Sequence, residues 1–260
     1  MPRCAKLVCE KFPVTIRHHW PEYMASLFHS TQFCSAGICS NAHSKLNSDS
    51  LMTKEVSMSR YCPKCLKAKR ACICQWIEPI HCDTQLIILQ HSSEEKRPLG
   101  TARILSLSLK NARLFVGEDF SQHEELNTLL DDERYQNVIL YPGEGARTVS
   151  EVKTEAGGKP LRVILLDGTW KKAFKMWKLS ANLHSLALVK LAGDLIGDYR
   201  IRKAPSSNAL STVEAGFHLL ESIEPNVDFT PLITAFNEMI GFQIDNMPKG
   251  VFERNYSGKR

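Results

Sequence analysis

The sequence predicts an α/β fold: a mostly parallel sheet with helices on both faces, preceded by a small zinc-binding module. Three observations carry this. Short apolar runs such as Val163-Ile164-Leu165-Leu166 lack polar alternation, as strands buried on both faces do. These runs alternate with segments of helical spacing, which argues for parallel strands joined by right-handed crossovers. Ahead of them, Cys62, Cys65, Cys72 and Cys74 fall within thirteen residues as CxxC followed by CxC.

The elements follow in order. Residues 1–57 are read as a poorly structured extension, with a Ser/Asn-rich stretch from His43 to Thr53. Residues 58–82 form the cysteine module. Zinc takes four soft ligands in a tetrahedron, and with all four positions filled by thiolates the site is closed and structural. Lys64, Lys67, Lys69 and Arg70 project around it as a basic loop.

From residue 83 to 243 the pattern is that of a single domain of alternating strands and helices. Leu86 to Leu89 is a strand candidate and Thr101 to Leu109 a helix. Leu114 to Val116 is a short strand ending at Gly117, and Glu124 to Arg134 reads as helical. Val138 to Tyr141 is a buried strand that breaks into the turn-rich Pro142-Gly143-Glu144-Gly145-Ala146. Leu161 to Leu166 is the next strand, and Leu186 to Leu191 the fifth. A long loop, 192–210, carries Asp198-Tyr199-Arg200-Ile201-Arg202-Lys203, three cations able to hold a phosphate or a carboxylate. Ser211 followed by Glu214 is a capping box that starts a helix running to about Ser222. A last helix spans roughly Pro231 to Ile240, and a basic tail covers 244–260.

Composition sets the bounds. The chain has 260 residues, 43% of them hydrophobic, which supports a packed core and excludes wholesale disorder. A formal net charge of +5 is compatible with a polyanionic partner. No apolar run approaches the roughly 20 residues of a membrane helix, and the N-terminus has no secretory h-region. Nine cysteines in a chain read as cytoplasmic point to metal ligation and free thiols rather than disulfides. No obligate protein partner is evident.

The most informative stretch is Asp167-Gly168-Thr169-Trp170, where the central strand ends and a helix begins. Ligands of open α/β sheets bind at that carboxyl edge. Local chemistry leaves a plainer alternative: Asp167 or Thr169 caps the helix, Gly168 serves the turn and Trp170 fills the core.

Taken together, Asp167-x-Thr169-Trp170, Arg200-x-Arg202, Ser211-Thr212-x-Glu214-Ala215, Gln90-His91-x-x-Glu94, the Thr101-Ala102 helix start and the cysteine cluster resemble the DTW-domain family over about residues 59 to 243. The resemblance implies a fold related to the knotted SPOUT methyltransferases. It implies transfer of the 3-amino-3-carboxypropyl group of S-adenosylmethionine to N3 of a uridine in tRNA, with 5′-methylthioadenosine leaving. By that analogy three loops build the cofactor pocket: Tyr141, Pro142, Gly143, Glu144 and Ala146; Asp167, Gly168, Thr169 and Trp170; and Leu210, Ser211, Thr212, Glu214 and Ala215. Arg200 and Arg202 join them, holding the cofactor carboxylate or a tRNA phosphate. A carboxylate must accept the N3 proton; Asp167 is the first choice and Glu214 the second. Two competing readings are a SPOUT-type RNA methyltransferase using the same cofactor and a non-catalytic zinc-bearing RNA-binding protein.

Overall fold

The unbroken apolar run becomes the middle strand of a five-stranded parallel sheet. The structure, a computed structural model, describes residues 59–191, 195, 197 and 210–256. The extension over 1–57 and the pair Arg200 and Arg202 lie outside the described residues. The strands are β1 (Gln85–His91), β2 (Arg113–Gly117), β3 (Gln136–Leu140), β4 (Leu161–Asp167) and β5 (Ala187–Val189), in the order β2-β1-β4-β3-β5. Every pairing is parallel. β4 lies between β1 and β3, and helices pack on both faces, so its apolar side chains are covered above and below. This is why the run shows no alternation.

Helices cover both faces. They are α1 (Ala102–Ser108), α2 (Glu124–Leu130), α3 (Val149–Glu155), α4 (Trp170–Leu179), α5 (Thr212–Ile223), α6 (Thr230–Asp245) and α7 (Val251–Tyr256). Leu86, Ile88, Val163 and Leu165 pack on one side with Leu105, Val152, Leu220 and Phe236. Ile87, Leu89 and Ile164 point the other way, onto Leu126, Met176 and Phe120. Each such side chain removed from water contributes about 1.5–3 kcal/mol. Among the described residues no helix is long and apolar enough to cross a membrane.

Several boundaries differ from expectation for identifiable reasons. α2 stops at Leu130, short of Arg134, because side chains take its last carbonyls. Arg162, only 1% exposed within β4, donates to the carbonyl of Leu129, and Asn137 Nδ2 donates to that of Leu130 at 2.6 Å. Arg162 also meets Asp132 at 3.2 Å and lies over the Tyr135 ring at 4.2 Å, which offsets the cost of a buried guanidinium. α3 was not expected, although Thr148 and Glu151 form a complete capping box and Val149 and Val152 give it an apolar face. α6 runs through Gly241 to Asp245, and the expected tail carries α7, whose Phe252 and Tyr256 pack against the core.

α1 and α5 approach closely at Gly216, where an added Cβ would lie 2.8 Å from Leu105 Cδ2. Leu105 is fully buried and has no room to move aside. Gly216→Ala is therefore expected to destabilise the protein by about 1–3 kcal/mol. The check is a lowered urea midpoint at unchanged slope.

Candidate active site and metal centre

Asp167 is the last residue of β4, and the register places it directly beside Gln90 of β1. Its side chain is buried, 7% exposed. Gln90 Nε2 donates to Asp167 Oδ2 at 2.7 Å, and the Thr212 hydroxyl donates to Oδ1. The second contact spans 45 residues and brings the start of α5 onto the end of β4. Thr169, not Asp167, caps α4, its hydroxyl accepting from the Lys172 N–H at 3.4 Å. The capping explanation thus belongs to Thr169 and leaves Asp167 for other work. Gly168 makes a close approach: a Cβ there would sit 3.1 Å from Lys172 Cβ. Trp170 fills no core; it is 54% exposed at the rim.

The capping box at α5 is complete. Glu214 Oε2 accepts from the Ser211 N–H at 2.7 Å, and the Glu214 N–H donates to Ser211 Oγ at 3.4 Å. One oxygen of buried Glu214 is therefore engaged by backbone. Thr101, expected at a helix start, makes no cap of its own; its hydroxyl accepts from the Val213 N–H at 3.4 Å.

The Tyr141–Ala146 loop leaves β3, the neighbour of β4, at the same carboxyl edge. Tyr141 is buried and stacks on Trp177 of α4, centroids 5.4 Å apart; burial raises its phenol pKa. Pro142, Gly143 and Glu144 are exposed, and Ala146 is half-buried. Leu210 and Ala215 flank the buried Ser211 as half-buried residues. The structure therefore brings Asp167, Gly168, Thr169, Ser211, Thr212 and Glu214 to one edge, with the Tyr141–Ala146 loop issuing from the next strand.

A polar belt beside this edge went unread in the sequence. His91 Nε2 lies 2.9 Å from Glu118 Oε1, and Glu118 holds Lys175 of α4 at 2.5 Å. Lys175, by its hydrogen bond, keeps the Glu118 carboxyl below the usual range. Glu94 takes Lys172 at 2.6 Å, and Ser93 Oγ does so at the same distance. These ion pairs fix the first turns of α4 to the segments that follow β1 and β2. The Gln90-His91-x-x-Glu94 pattern was the available signal; its partners on α4 are too distant in sequence to be read.

The four cysteines of the module converge. All their sulfurs lie within 4.8 Å of one another, with Cys62–Cys74 and Cys65–Cys72 each at 3.7 Å. Disulfides would need about 2.05 Å. A zinc tetrahedron with bonds of about 2.3 Å has edges near 3.8 Å, so the set is compatible with zinc. Leu66, at φ 60°, turns the knuckle, and the Cys62 N–H closes it on the Lys67 carbonyl at 2.8 Å.

Lys67 corrects one expectation. It does not project toward solvent: it is 6% exposed, and Nζ donates to the carbonyls of Pro98 at 2.6 Å and Gly100 at 3.0 Å. Burial lowers its pKa to about 8. Lys64, Lys69 and Arg70 are exposed.

Comparison with known proteins gives the same bounds. The family model described as "DTW domain" matches residues 59–244. The tRNA-uridine aminocarboxypropyltransferase 2 of Drosophila melanogaster is 34% identical over 194 residues, covering 70% of this chain and 76% of the fly protein. That of Mus musculus is 32% identical over 171 residues, covering 64% of this chain but 57% of the mouse protein. tRNA-uridine aminocarboxypropyltransferase A of Arabidopsis thaliana is 28% identical over 211 residues, 70% of this chain and 80% of the plant protein. The chain thus spans little more than half the length of the mouse relative. No solved structure matches it.

Proposed function

Because the chain belongs to the DTW-domain family, we propose that it is a tRNA-uridine aminocarboxypropyltransferase. It transfers the 3-amino-3-carboxypropyl group of S-adenosylmethionine to N3 of a uridine in tRNA and releases 5′-methylthioadenosine. The observation that carries this reading is the motif aspartate, buried at the carboxyl edge of the central strand and held from two sides.

Uracil N3 is a poor nucleophile while protonated. Asp167 accepts that proton; Glu214, tied by one oxygen to the Ser211 N–H, stands second. The sulfonium already activates the carbon under attack, so the remaining task is to hold nucleophile and carbon in line. Tyr141, Pro142, Gly143, Glu144, Ala146, Gly168, Thr169, Trp170, Leu210, Ser211, Thr212 and Ala215 form the cofactor pocket. Arg200 or Arg202 binds the cofactor carboxylate or a tRNA phosphate. The all-parallel sheet is compatible with the SPOUT kinship that the family resemblance implies; the knot rests on that resemblance alone. Cys62, Cys65, Cys72 and Cys74 hold a structural zinc. Unpaired thiols at that spacing suit a reducing, cytoplasmic setting.

Purified protein, S-adenosylmethionine and unmodified tRNA test the reaction, followed by nucleoside mass spectrometry. A uridine gaining the aminocarboxypropyl group with release of methylthioadenosine supports it. A methylated nucleoside with S-adenosylhomocysteine overturns it in favour of methyl transfer.

The module's exposed cations grip tRNA. Reversing Lys64, Lys69 and Arg70 to Glu is expected to weaken tRNA binding at least tenfold and flatten its salt dependence by about two to three contacts. Lys67→Glu instead buries a carboxylate against two carbonyls, so its expected effect is a lower Tm. Filter binding across salt concentrations, beside thermal melts, separates the two.

A further inference from the structure

Gln90 is 2% exposed, and its amide is used on one side only. Nε2 donates to Asp167, while Oε1 is buried with no hydrogen-bond partner. A buried idle carbonyl is costly and asks for a reason. Its position supplies one, since Gln90 stands in register with the residue proposed to take the substrate proton.

We infer that Gln90 is a positioning residue that serves Asp167 in both of its protonation states; the inference rests on the transfer reaction proposed above. A primary amide turned by half a revolution exchanges donor for acceptor. With Asp167 ionised, Nε2 faces Oδ2. With Asp167 protonated, Oε1 turns to accept the new O–H. The Thr212 hydroxyl on Oδ1 has the same freedom, because its proton rotates. An arginine or a backbone N–H in either place could only donate, and would favour the carboxylate alone.

The step balances. The N3 proton passes to Asp167, and the N3 lone pair forms the new N–C bond. The C–S pair leaves with sulfur as a neutral thioether. Gln90 gains and loses nothing; it turns, and turns back when Asp167 returns the proton to solvent.

The test is single-turnover formation of the modified uridine across about pH 5 to 9, for wild type, Gln90→Met and Gln90→Glu. Met keeps the shape without either hydrogen bond. The expected result is a rate about 10–100-fold lower, with S-adenosylmethionine affinity and Tm near wild type. Glu places a second carboxyl against Asp167, and two such groups cannot both ionise. The pair then shares a proton and its apparent pKa values split, so the acid limb of the profile is expected to move by about one pH unit or more. A merely structural role moves Tm and leaves the limb in place. No product from wild type overturns the transfer reaction and the inference with it. Product from wild type, with Gln90→Met within threefold of it and the Gln90→Glu limb unmoved, overturns the role of Gln90 alone.

Discussion

Asp167→Asn is expected to lower turnover by about three orders of magnitude while S-adenosylmethionine binding stays within a few-fold of wild type. Positioned proton transfer contributes about 10²–10⁴-fold, and Asn removes the acceptor without changing the volume. The local structure should survive, because Thr169 and not Asp167 caps α4. The strand end is also pinned by pairing with β1. The amide does lose something: Gln90 Nε2 and the Thr212 hydroxyl both donate to the carboxylate, and an Asn presents one carbonyl to two donors. Isothermal titration and single-turnover product formation separate binding from chemistry. Near-normal turnover with binding intact would rule out Asp167 as the base and direct attention to Glu214.

The second large effect concerns the thiols. Wild type is expected to carry one zinc per chain, and the pair Cys62→Ser with Cys74→Ser none. A melting temperature lower by about 10 °C or more should accompany the loss. Structural zinc supplies folding free energy directly. Here the module is part of the core: Cys65 and Ile73 are buried among the residues of α1, α5 and α6. A loss of about 5 kcal/mol, at roughly 2–4 °C per kcal/mol for a domain of this size, gives a shift of about 10–20 °C. Metal analysis with thermal melts, before and after chelation, decides it. A metal-free wild-type protein of unchanged stability would show that the sulfurs pack as thiols.

What could be read in the sequence was what short spacing encodes. The runs at Leu86 and Val163 were legible because burial on two faces leaves an unbroken apolar signature. The cysteine cluster was legible because a knuckle is built within thirteen residues. The Ser211–Glu214 capping box was equally local. What escaped depends on partners far along the chain. Lys67 looked like a surface cation because nothing nearby shows that the carbonyls of Pro98 and Gly100 await it. The plainer alternative for Trp170, a core aromatic at helical spacing, fails because α4 buries Ala173 and Met176 instead. The pairing of Gln90 with Asp167 spans 77 residues and follows only from β1 and β4 lying side by side. α3 was not legible because its apolar face is only Val149 and Val152, too few positions to show a helical period.

The contacts of Lys67 have a mechanical consequence. Its ammonium ties the knuckle to the backbone at Pro98 and Gly100, and the Gly100 N–H returns to Arg97, which meets Glu94 at 3.1 Å. Glu94 in turn holds Lys172, on the first turn of the helix that follows Asp167. The sulfur cluster and the sheet edge proposed for the reaction are thus the two ends of one strut. Slackening the far end, by stripping a metal or oxidising a thiol, would be felt as play at the near end, where alignment to a fraction of an ångström decides the rate.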